Sequence, residues 1–201
     1  MVSPKVFIFI VFASIFIQCN RNESQLEMQD SQLSDAEKFA LEFPLIGKDN
    51  IFVYRNASET ADILTNGRGI VFMGFKECPW CQPYTVFLHD VAREMEVEKI
   101  YYYDIKEDRQ NNTEGYQKII SILSGYLQYD DEGRSRVYVP DVTILSRGRI
   151  IDRDFETSKE TLGCSTPQEY WNNERINALK ERIREGIKIL KKLNDRSCNT
   201  C

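Results

Sequence analysis

The sequence predicts an α/β fold in which helices flank one mixed central sheet. Apolar segments of strand length alternate along the chain with segments whose apolar residues recur at helical spacing. Residues 70–75, Ile-Val-Phe-Met-Gly-Phe, form a nearly continuous apolar run, which is typical of a central strand covered on both faces. Further along, only Ser146-Arg147-Gly148 separates two strand-like segments, so we expect an antiparallel hairpin there.

The first half of the predicted domain begins with a short additional helix. Ser34, with Glu37 three residues later, has the pattern of a helix cap, and Pro44 stops the helix that it opens. The helical segments that follow repeat apolar residues every three or four positions, whereas the strand segments are rich in β-branched and aromatic residues. In order, these elements are a strand at 51–54, a helix at 58–64, the strand at 70–75, a helix at 79–95 and a strand at 98–105.

The second half is predicted to contain two long helices and the hairpin. The first long helix has one apolar face, formed by Tyr116, Ile119, Ile120, Leu123 and Leu127. Strands at 137–145 and 149–152 follow. Thr166, Pro167 and Glu169 have the pattern of a helix start. The apolar stripe of this last helix contains Ile176, Leu179, Ile183, Ile187 and Leu190.

Composition excludes several classes of protein. Of the 201 residues, 42% are hydrophobic and 28% are charged, which suits a globular domain and argues against a disordered or fibrous chain. The formal net charge of -5 gives no general reason to expect nucleic acid as a partner. We therefore predict one domain at 35–196, followed by a cysteine-containing tail at 197–201.

The first nineteen residues differ from the rest of the chain. Lys5 precedes an uninterrupted apolar run at 6–17, which is shorter than the roughly 20 residues that a bilayer-spanning helix needs. We expect residues 1–19 to be an export signal and residues 20–34 a flexible tether. The junction resembles the acylation site of a bacterial lipoprotein, which makes Cys19 the predicted lipidation site; a signal anchor and ordinary cleavage stay open. The domain is expected outside the cytoplasm, attached to the cell membrane by this N-terminus or secreted.

The segment Cys78-Pro79-Trp80-Cys81 is the predicted catalytic centre. Cys78 follows a buried strand, and Pro79 suits the first position of a helix, so Cys78 is expected at the helix N-cap. Free N–H groups there lower the pKa of a thiol, and the thiolate is the form that attacks a disulfide. Cys81, about one turn into the helix, is the expected resolving thiol. Pro79 and Trp80 are expected to tune the pair by setting how many amide groups reach the Cys78 sulfur.

The same cysteine pair could instead belong to a zinc site or form a structural disulfide. A zinc site normally needs a second cysteine pair or histidines at suitable spacing, whereas the only histidine, His89, lies about three turns away on the same predicted helix. We therefore expect no metal here and interpret His89 as a packed or surface helix residue. A merely structural disulfide is the other alternative, and it seldom lies at a junction between a strand and a helix.

Two motifs resemble the thioredoxin superfamily. Residues 70–82, which end in Cys-Pro-Trp-Cys-Gln, are followed about sixty residues later by Val-Pro-Asp-Val-Thr at 139–143. The resemblance implies a thioredoxin fold with a cis peptide before Pro140, which would face the cysteines. It also implies that the backbone of Val139 pairs with an extended substrate chain beside Cys78. Val139 and Pro140 are therefore the expected substrate-binding residues.

The chain is similar in particular to small exported thioredoxin-like proteins of Gram-positive bacteria, including bacteriocin transport accessory proteins. The resemblance implies a thiol–disulfide oxidoreductase acting on exported proteins, with a membrane or soluble thiol redox partner. The disulfide between Cys78 and Cys81 would be its redox group, with no further cofactor. The redox direction stays open. So does a rival function, a peptide-binding or exporter-accessory lipoprotein in which Cys78 and Cys81 form a non-catalytic structural disulfide.

The sequence departs from cytosolic thioredoxin in its proton chemistry. No acid replaces the buried aspartate that thioredoxin carries on its central strand, and Gly74 lies in that neighbourhood. Proton transfer to and from Cys81 is therefore expected to use another group, with Glu77, Lys76 and water as the candidates.

The remaining cysteines are Cys164, Cys198 and Cys201. The terminal pair lacks the strand and the helix that surround the first pair, which favours a structural disulfide, such as one between Cys164 and Cys198 or one within the tail. An electron relay is a second interpretation. A zinc site completed by water or by Cys19 is a third.

Overall fold

Five strands form the central sheet of the computed structural model, which describes residues 33–155 and 163–198. The predicted export signal with Cys19, nearly all of the predicted tether and Cys201 lie outside the described residues. The spatial order of the strands is β1, β3, β2, β6 and β7. Their bounds are Phe52–Tyr54 (β1), Arg68–Gly74 (β2), Ile100–Asp104 (β3), Asp141–Ser146 (β6) and Arg149–Phe155 (β7). A separate small hairpin contains Gln128–Tyr129 (β4) and Ser135–Arg136 (β5).

The sheet is mixed, as predicted. Strand β3 lies between β1 and β2 and is parallel to both, whereas β6 pairs antiparallel with β2 and with β7. The turn between β6 and β7 places Arg147 and Gly148 at positive φ, 54° and 71°, the backbone that a two-residue hairpin turn requires. The predicted hairpin is thus confirmed.

Helices cover both faces of the sheet. Their bounds are Asp35–Glu42 (α1), Ala57–Asn66 (α2), Cys81–Glu94 (α3), Lys106–Asn111 (α4), Glu114–Ile122 (α5), Pro167–Tyr170 (α6) and Asn173–Cys198 (α7). Phe39 of α1, Leu88 of α3 and Ile183 of α7 share one buried cluster with the sheet. Leu64 of α2 and Ile119 of α5 belong to the cluster on the other face. The predicted α/β fold, with its additional N-terminal helix, is confirmed as a thioredoxin-like arrangement.

Cap residues set several helix starts where the sequence predicts them. The Ser34 side chain accepts a hydrogen bond from the Glu37 N–H, and Glu37 bonds back, which completes a capping box. Thr166 caps α6 with Pro167 at its first position. The helix that follows is nevertheless shorter than predicted, because the chain leaves helical geometry at Trp171. The side chain of Asn172 then accepts from the N–H of Arg175 and starts α7 afresh.

Two further predicted elements differ from the structure. The long helix with Tyr116 to Leu127 on one face is wrong in extent, because Asn112 adopts left-handed backbone and Thr113 then caps a new helix, α5. A turn of 3-10 helix, Ser124–Tyr126, follows, so Leu127 lies outside α5. The strand predicted at 137–145 begins only at Asp141, since Pro140 has no N–H to donate to a sheet.

Candidate redox site

The reactive cysteines lie in a tight turn between β2 and α3. The N–H of Cys78 donates to the carbonyl of Phe75 at 3.1 Å, and the N–H of Cys81 donates to the carbonyl of Cys78 at 3.1 Å. The same Cys81 N–H lies 3.2 Å from the Cys78 sulfur. Both side chains are buried, with 4% of Cys78 and 0% of Cys81 exposed to solvent. The fold thus places the two thiols together at the end of the central strand.

The helix begins two residues later than the sequence predicts. Pro79 and Trp80 form a turn closed by an i to i+3 hydrogen bond, so α3 starts at Cys81 and Trp80 occupies the N-cap. The prediction that Cys78 is the N-cap, and that Cys81 lies one turn inside the helix, is therefore wrong. The predicted stabilisation of the Cys78 thiolate by backbone N–H groups is nevertheless retained, because this turn places the N–H of Cys81 within hydrogen-bond distance of the Cys78 sulfur.

The environment drives the pKa values of the two thiols apart. The hydrogen bond from the Cys81 side chain lowers the pKa of Cys78, and the N–H groups of Cys81 and Trp80 and the charge of Arg109 act in the same direction. Burial opposes this effect but does not cancel it. Burial raises the pKa of Cys81 well above its ordinary value, and the hydrogen bond and charge of Cys78 raise it further. Cys78 is therefore the more acidic thiol of the pair, and Cys81 is the thiol that keeps its proton more strongly.

Cys78 is expected to ionise at a lower pH than an ordinary thiol. The absorbance of thiolate at 240 nm, followed through a pH titration of the reduced protein, should show one transition below the ordinary cysteine pKa of about 8.5. The fraction of reactive thiolate at neutral pH is then larger than for a free cysteine. A Cys78→Ser variant should lose this transition, and a Cys164→Ser variant should keep it. A transition that follows Cys164 would contradict the assignment.

Aromatic side chains hold the reactive turn in the core. The Trp80 ring is buried and lies 5.4 Å from the Tyr170 ring of α6 in an edge-to-face arrangement. Trp171, next to Tyr170, packs in the same manner on Phe87 of α3 at 5.2 Å. Pro79, in contrast, is exposed. Trp80 thus fixes the turn by packing, while Pro79 faces solvent on the outer side of it.

The predicted substrate-binding segment lies beside this turn. The peptide between Val139 and Pro140 is cis, as the family resemblance implies. Asp141, the first residue of β6, pairs with Met73. Extending this antiparallel register by one residue places Pro140 opposite Gly74, at the end of β2. Val139 lies beyond the paired registers of β6 and packs partly buried between the two core clusters. The structure therefore brings Val139 and Pro140 next to the strand end that carries the cysteines.

Gly74 leaves room for the Cys81 sulfur. A Cβ atom at Gly74 would lie 3.1 Å from the Cys81 sulfur and 2.7 Å from the Phe72 ring, so a side chain here would press on both. Asp104 of β3 is the register partner of Gly74. Because paired residues on neighbouring strands direct their side chains to the same face, the Asp104 carboxyl lies on the Cys81 face of the sheet. Burial raises the pKa of this carboxyl.

The two side chains predicted from the sequence to carry a proton to and from Cys81, Glu77 and Lys76, are less suited to that transfer than Asp104. Glu77 is exposed and forms an ion pair with Lys106 at 2.8 Å, and the hydrogen bond from Lys106 lowers the pKa of Glu77. Lys76 is exposed as well. The sequence analysis did not single out Asp104, because its proximity to Cys81 depends on the pairing of β2 with β3.

His89 is a packing residue, as interpreted from the sequence. Its ring stacks 6.2 Å from the Phe52 ring. Burial lowers its pKa, which favours the neutral imidazole. It lies eight residues along α3 from Cys81, about 12 Å by the helical rise.

The pairing of the remaining cysteines stays a prediction. Cys164 is partly exposed and forms no disulfide with another cysteine whose side chain is described. The side chain of Cys198 lies outside the described part of the chain, as does all of Cys201. Within the described ranges, no group of three or more His, Cys, Asp or Glu side chains is arranged to hold a metal ion. None of the described helices is both long and apolar enough to cross a membrane.

No protein-family model and no curated protein matches the chain.

Proposed function

We propose that the protein is an extracytoplasmic thiol–disulfide oxidoreductase that exchanges disulfides with exported proteins through Cys78 and Cys81. The observation that carries the proposal is the tight turn that buries two adjacent thiols at the end of the central strand, with the Cys81 N–H 3.2 Å from the Cys78 sulfur. In this arrangement the pKa of Cys78 is lowered and that of Cys81 is raised. A purely structural disulfide does not require such a difference between its two sulfurs. The extracytoplasmic location rests on the apolar segment at 6–17.

The exchange takes two steps in which electrons and protons balance. The Cys78 thiolate attacks one sulfur of a substrate disulfide, a mixed disulfide forms, and the other substrate sulfur leaves as a thiolate that takes a proton from water. The Cys81 thiol then loses its proton and attacks the Cys78 sulfur. The bond between Cys78 and Cys81 forms, and the second substrate thiolate leaves and is protonated. Two electrons have then passed from Cys78 and Cys81 to the substrate. A thiol redox partner reduces the disulfide between Cys78 and Cys81 again. The same steps in reverse oxidise a substrate dithiol.

Substrate chains are proposed to dock on the segment at Val139 and Pro140. This segment lies beside the end of β2 and outside the paired part of β6, so its backbone does not take part in the pairing of β6 with β2. Addition of an extended chain here would bring a substrate cysteine beside the Cys78 sulfur.

The proposal is tested with the full-length protein in two assays, reduction of insulin disulfides and oxidative refolding of a reduced protein. Wild type should be active in at least one, Cys78→Ser should be inactive in both, and Cys164→Ser should match wild type. Equal inactivity of wild type and Cys78→Ser would overturn the proposal in favour of a binding protein with a structural disulfide. The redox potential of the pair sets the direction, since about −270 mV indicates a reductase and about −120 mV an oxidase.

A further inference from the structure

A strongly basic cavity lies next to the reactive turn. Its volume is about 360 Å³, within the range of small-ligand sites. Arg109, Arg134 and Arg136 line it, together with Tyr116 and a single carboxylate, Asp130. Helix α4, helix α5, which follows it in the chain, and the small hairpin of β4 and β5 meet here.

Only one of the three arginines is neutralised by carboxylates. Arg134 pairs with Asp130 at 3.0 Å and with Glu132 at 2.7 Å. Arg109 and Arg136 form no ion pair with any acid in the described part of the chain. The Nε atom of each is buried and has no hydrogen-bond partner. Two guanidinium groups without a carboxylate partner, in a chain of net charge -5, make this cavity suited to an anion.

The contacts of the two free arginines leave most of their donors unused. Arg109 donates one hydrogen bond, to the carbonyl of Val137 at 3.3 Å, and lies 5.2 Å over the Phe75 ring. Arg136 lies 5.8 Å over the Tyr138 ring. Burial lowers the pKa of Arg109, and repulsion by the charge of Arg136, which lines the same cavity, lowers it further. An anion between them would remove that repulsion.

The cavity is connected to the proposed reaction through Arg109. Val137, its carbonyl partner, precedes the segment of Val139 and Pro140 by two residues. Phe75, on which its guanidinium packs, accepts the hydrogen bond of the Cys78 N–H at 3.1 Å. The Arg109 charge also contributes to the lowered pKa of Cys78. A group bound to Arg109 in the cavity is therefore connected, through this one side chain, both to the proposed docking segment and to the turn that carries Cys78.

We infer that this cavity binds a carboxylate carried by the disulfide substrate of Cys78, held between Arg109 and Arg136. The inference rests on the proposed function and narrows its substrates to disulfides with a nearby acidic group. Planar guanidinium groups match a carboxylate with paired hydrogen bonds, which supplies orientation as well as attraction. The carboxylate could come from an Asp or Glu side chain of a substrate protein or from a small disulfide, and both present the same chemistry.

The first test compares two small disulfides of the same length, 3,3′-dithiodipropionate and its neutral diamide. The second-order rate constant for oxidation of the reduced full-length protein is measured with each. Arg136→Gln is expected to lower the rate with the dicarboxylate about tenfold and the rate with the diamide less than twofold. Arg93→Gln, which removes an exposed arginine of α3 that pairs with Asp49 outside the cavity, is the matched control and should behave like wild type. Equal losses with both probes in Arg136→Gln would overturn the inference.

A second arm identifies the source of the carboxylate. Two disulfide-bonded peptides that differ only in Asp or Asn beside the cysteine are offered to wild type and to Arg136→Gln. Faster reaction of the Asp peptide, lost in the variant, assigns the pocket to protein substrates. Discrimination among the small probes alone assigns it to small disulfides. Discrimination in neither set overturns the inference.

Binding is also measured without any exchange chemistry. In full-length protein with Cys78→Ser and Cys81→Ser, glutarate should shift the guanidinium NMR signals of Arg109 and Arg136, whereas glutaramide should not. A wild type that exchanges no disulfide at all would overturn the proposed function, even where glutarate binds. A wild type that exchanges both probes equally, with no glutarate shift, would overturn the carboxylate pocket alone.

Discussion

Replacing Arg153 with methionine is expected to lower the free energy of unfolding by about 3–5 kcal/mol at pH 7. Arg153 of β7 forms a buried ion pair with Asp141, which is 0% exposed. The Asp141 carboxylate otherwise accepts one hydrogen bond, from the Thr143 hydroxyl at 3.2 Å. Removal of the guanidinium leaves a buried carboxyl without its cation, so the carboxyl either stays charged at a high cost or takes up a proton at pH 7, and either loss exceeds the loss of a surface pair. The measurement is a urea unfolding curve at pH 7.

The pH dependence identifies the cause of that loss. Burial raises the pKa of Asp141 to about 6, and Arg153 limits the rise. A carboxyl whose folded pKa is raised contributes stability that is fully present below the unfolded pKa of about 3.9 and is lost as the pH rises through the folded pKa. Wild type should therefore lose about 3 kcal/mol between about pH 4 and pH 6 from this group. In Arg153→Met the pKa of Asp141 rises further, so the loss continues above pH 6.

Two variants serve as controls for this prediction. Asp141→Asn in the Arg153→Met background removes the unpaired charge and should recover most of the stability at pH 7. Asp90→Asn breaks an ion pair with Lys180 that is 2.8 Å long but half exposed, and it should cost less than about 1 kcal/mol. A loss in Arg153→Met that is independent of pH, or that the second substitution does not reverse, would mean that packing, and not the carboxyl charge, is responsible.

The same ion pair explains why the docking segment has a defined position. Asp141 follows Pro140 directly and is the first residue of β6, while Arg153 also donates to the carbonyl of Tyr126, beside the small hairpin. One buried guanidinium thus connects the start of β6 with the segment that follows α5. Arg153→Met is therefore expected to affect exchange as well as folding.

The sequence predicts best what local chemistry determines. The capping box of Ser34, the Thr166 cap and the hairpin turn at Gly148 depend on a few adjacent residues, and all three occur in the structure. The apolar run at 70–75 identifies the central strand because only a strand with two covered faces tolerates so many apolar residues. The cysteine pair is recognisable from the sequence because its two thiols are local, only three residues apart and within one turn.

What depends on tertiary contacts could not be predicted. The proximity of Asp104 to Cys81 follows from the register of β2 and β3, which no local pattern specifies. The basic cavity needs Arg109 and Arg136 to approach from segments that are separate in the sequence. The start of α3 was missed because Pro79 suits both the first turn of a helix and the tight turn that precedes it here.

Replacing Asp104 with asparagine is expected to slow the attack of Cys81 on the mixed disulfide about 100-fold, within the usual range for loss of a general base. Cys81 has a raised pKa, so it must give up its proton before it can attack. Asp104 is the register partner of Gly74 on the neighbouring strand, and Gly74, whose Cβ position faces the Cys81 sulfur, places no side chain between them. Its own raised pKa makes it a stronger base than an exposed aspartate.

The pH profile separates this role from a structural one. In wild type the rate of the second step should rise with pH through the pKa of Asp104, which lies above the ordinary value of about 3.9. In Asp104→Asn this limb should disappear, the rate should instead rise with ionisation of Cys81 at high pH, and the mixed disulfide should accumulate. Glu77→Gln, at an exposed acid paired with Lys106, is the matched control and should leave both steps unchanged. If Glu77→Gln slows the second step and Asp104→Asn does not, the proton leaves Cys81 toward the exposed side of the turn.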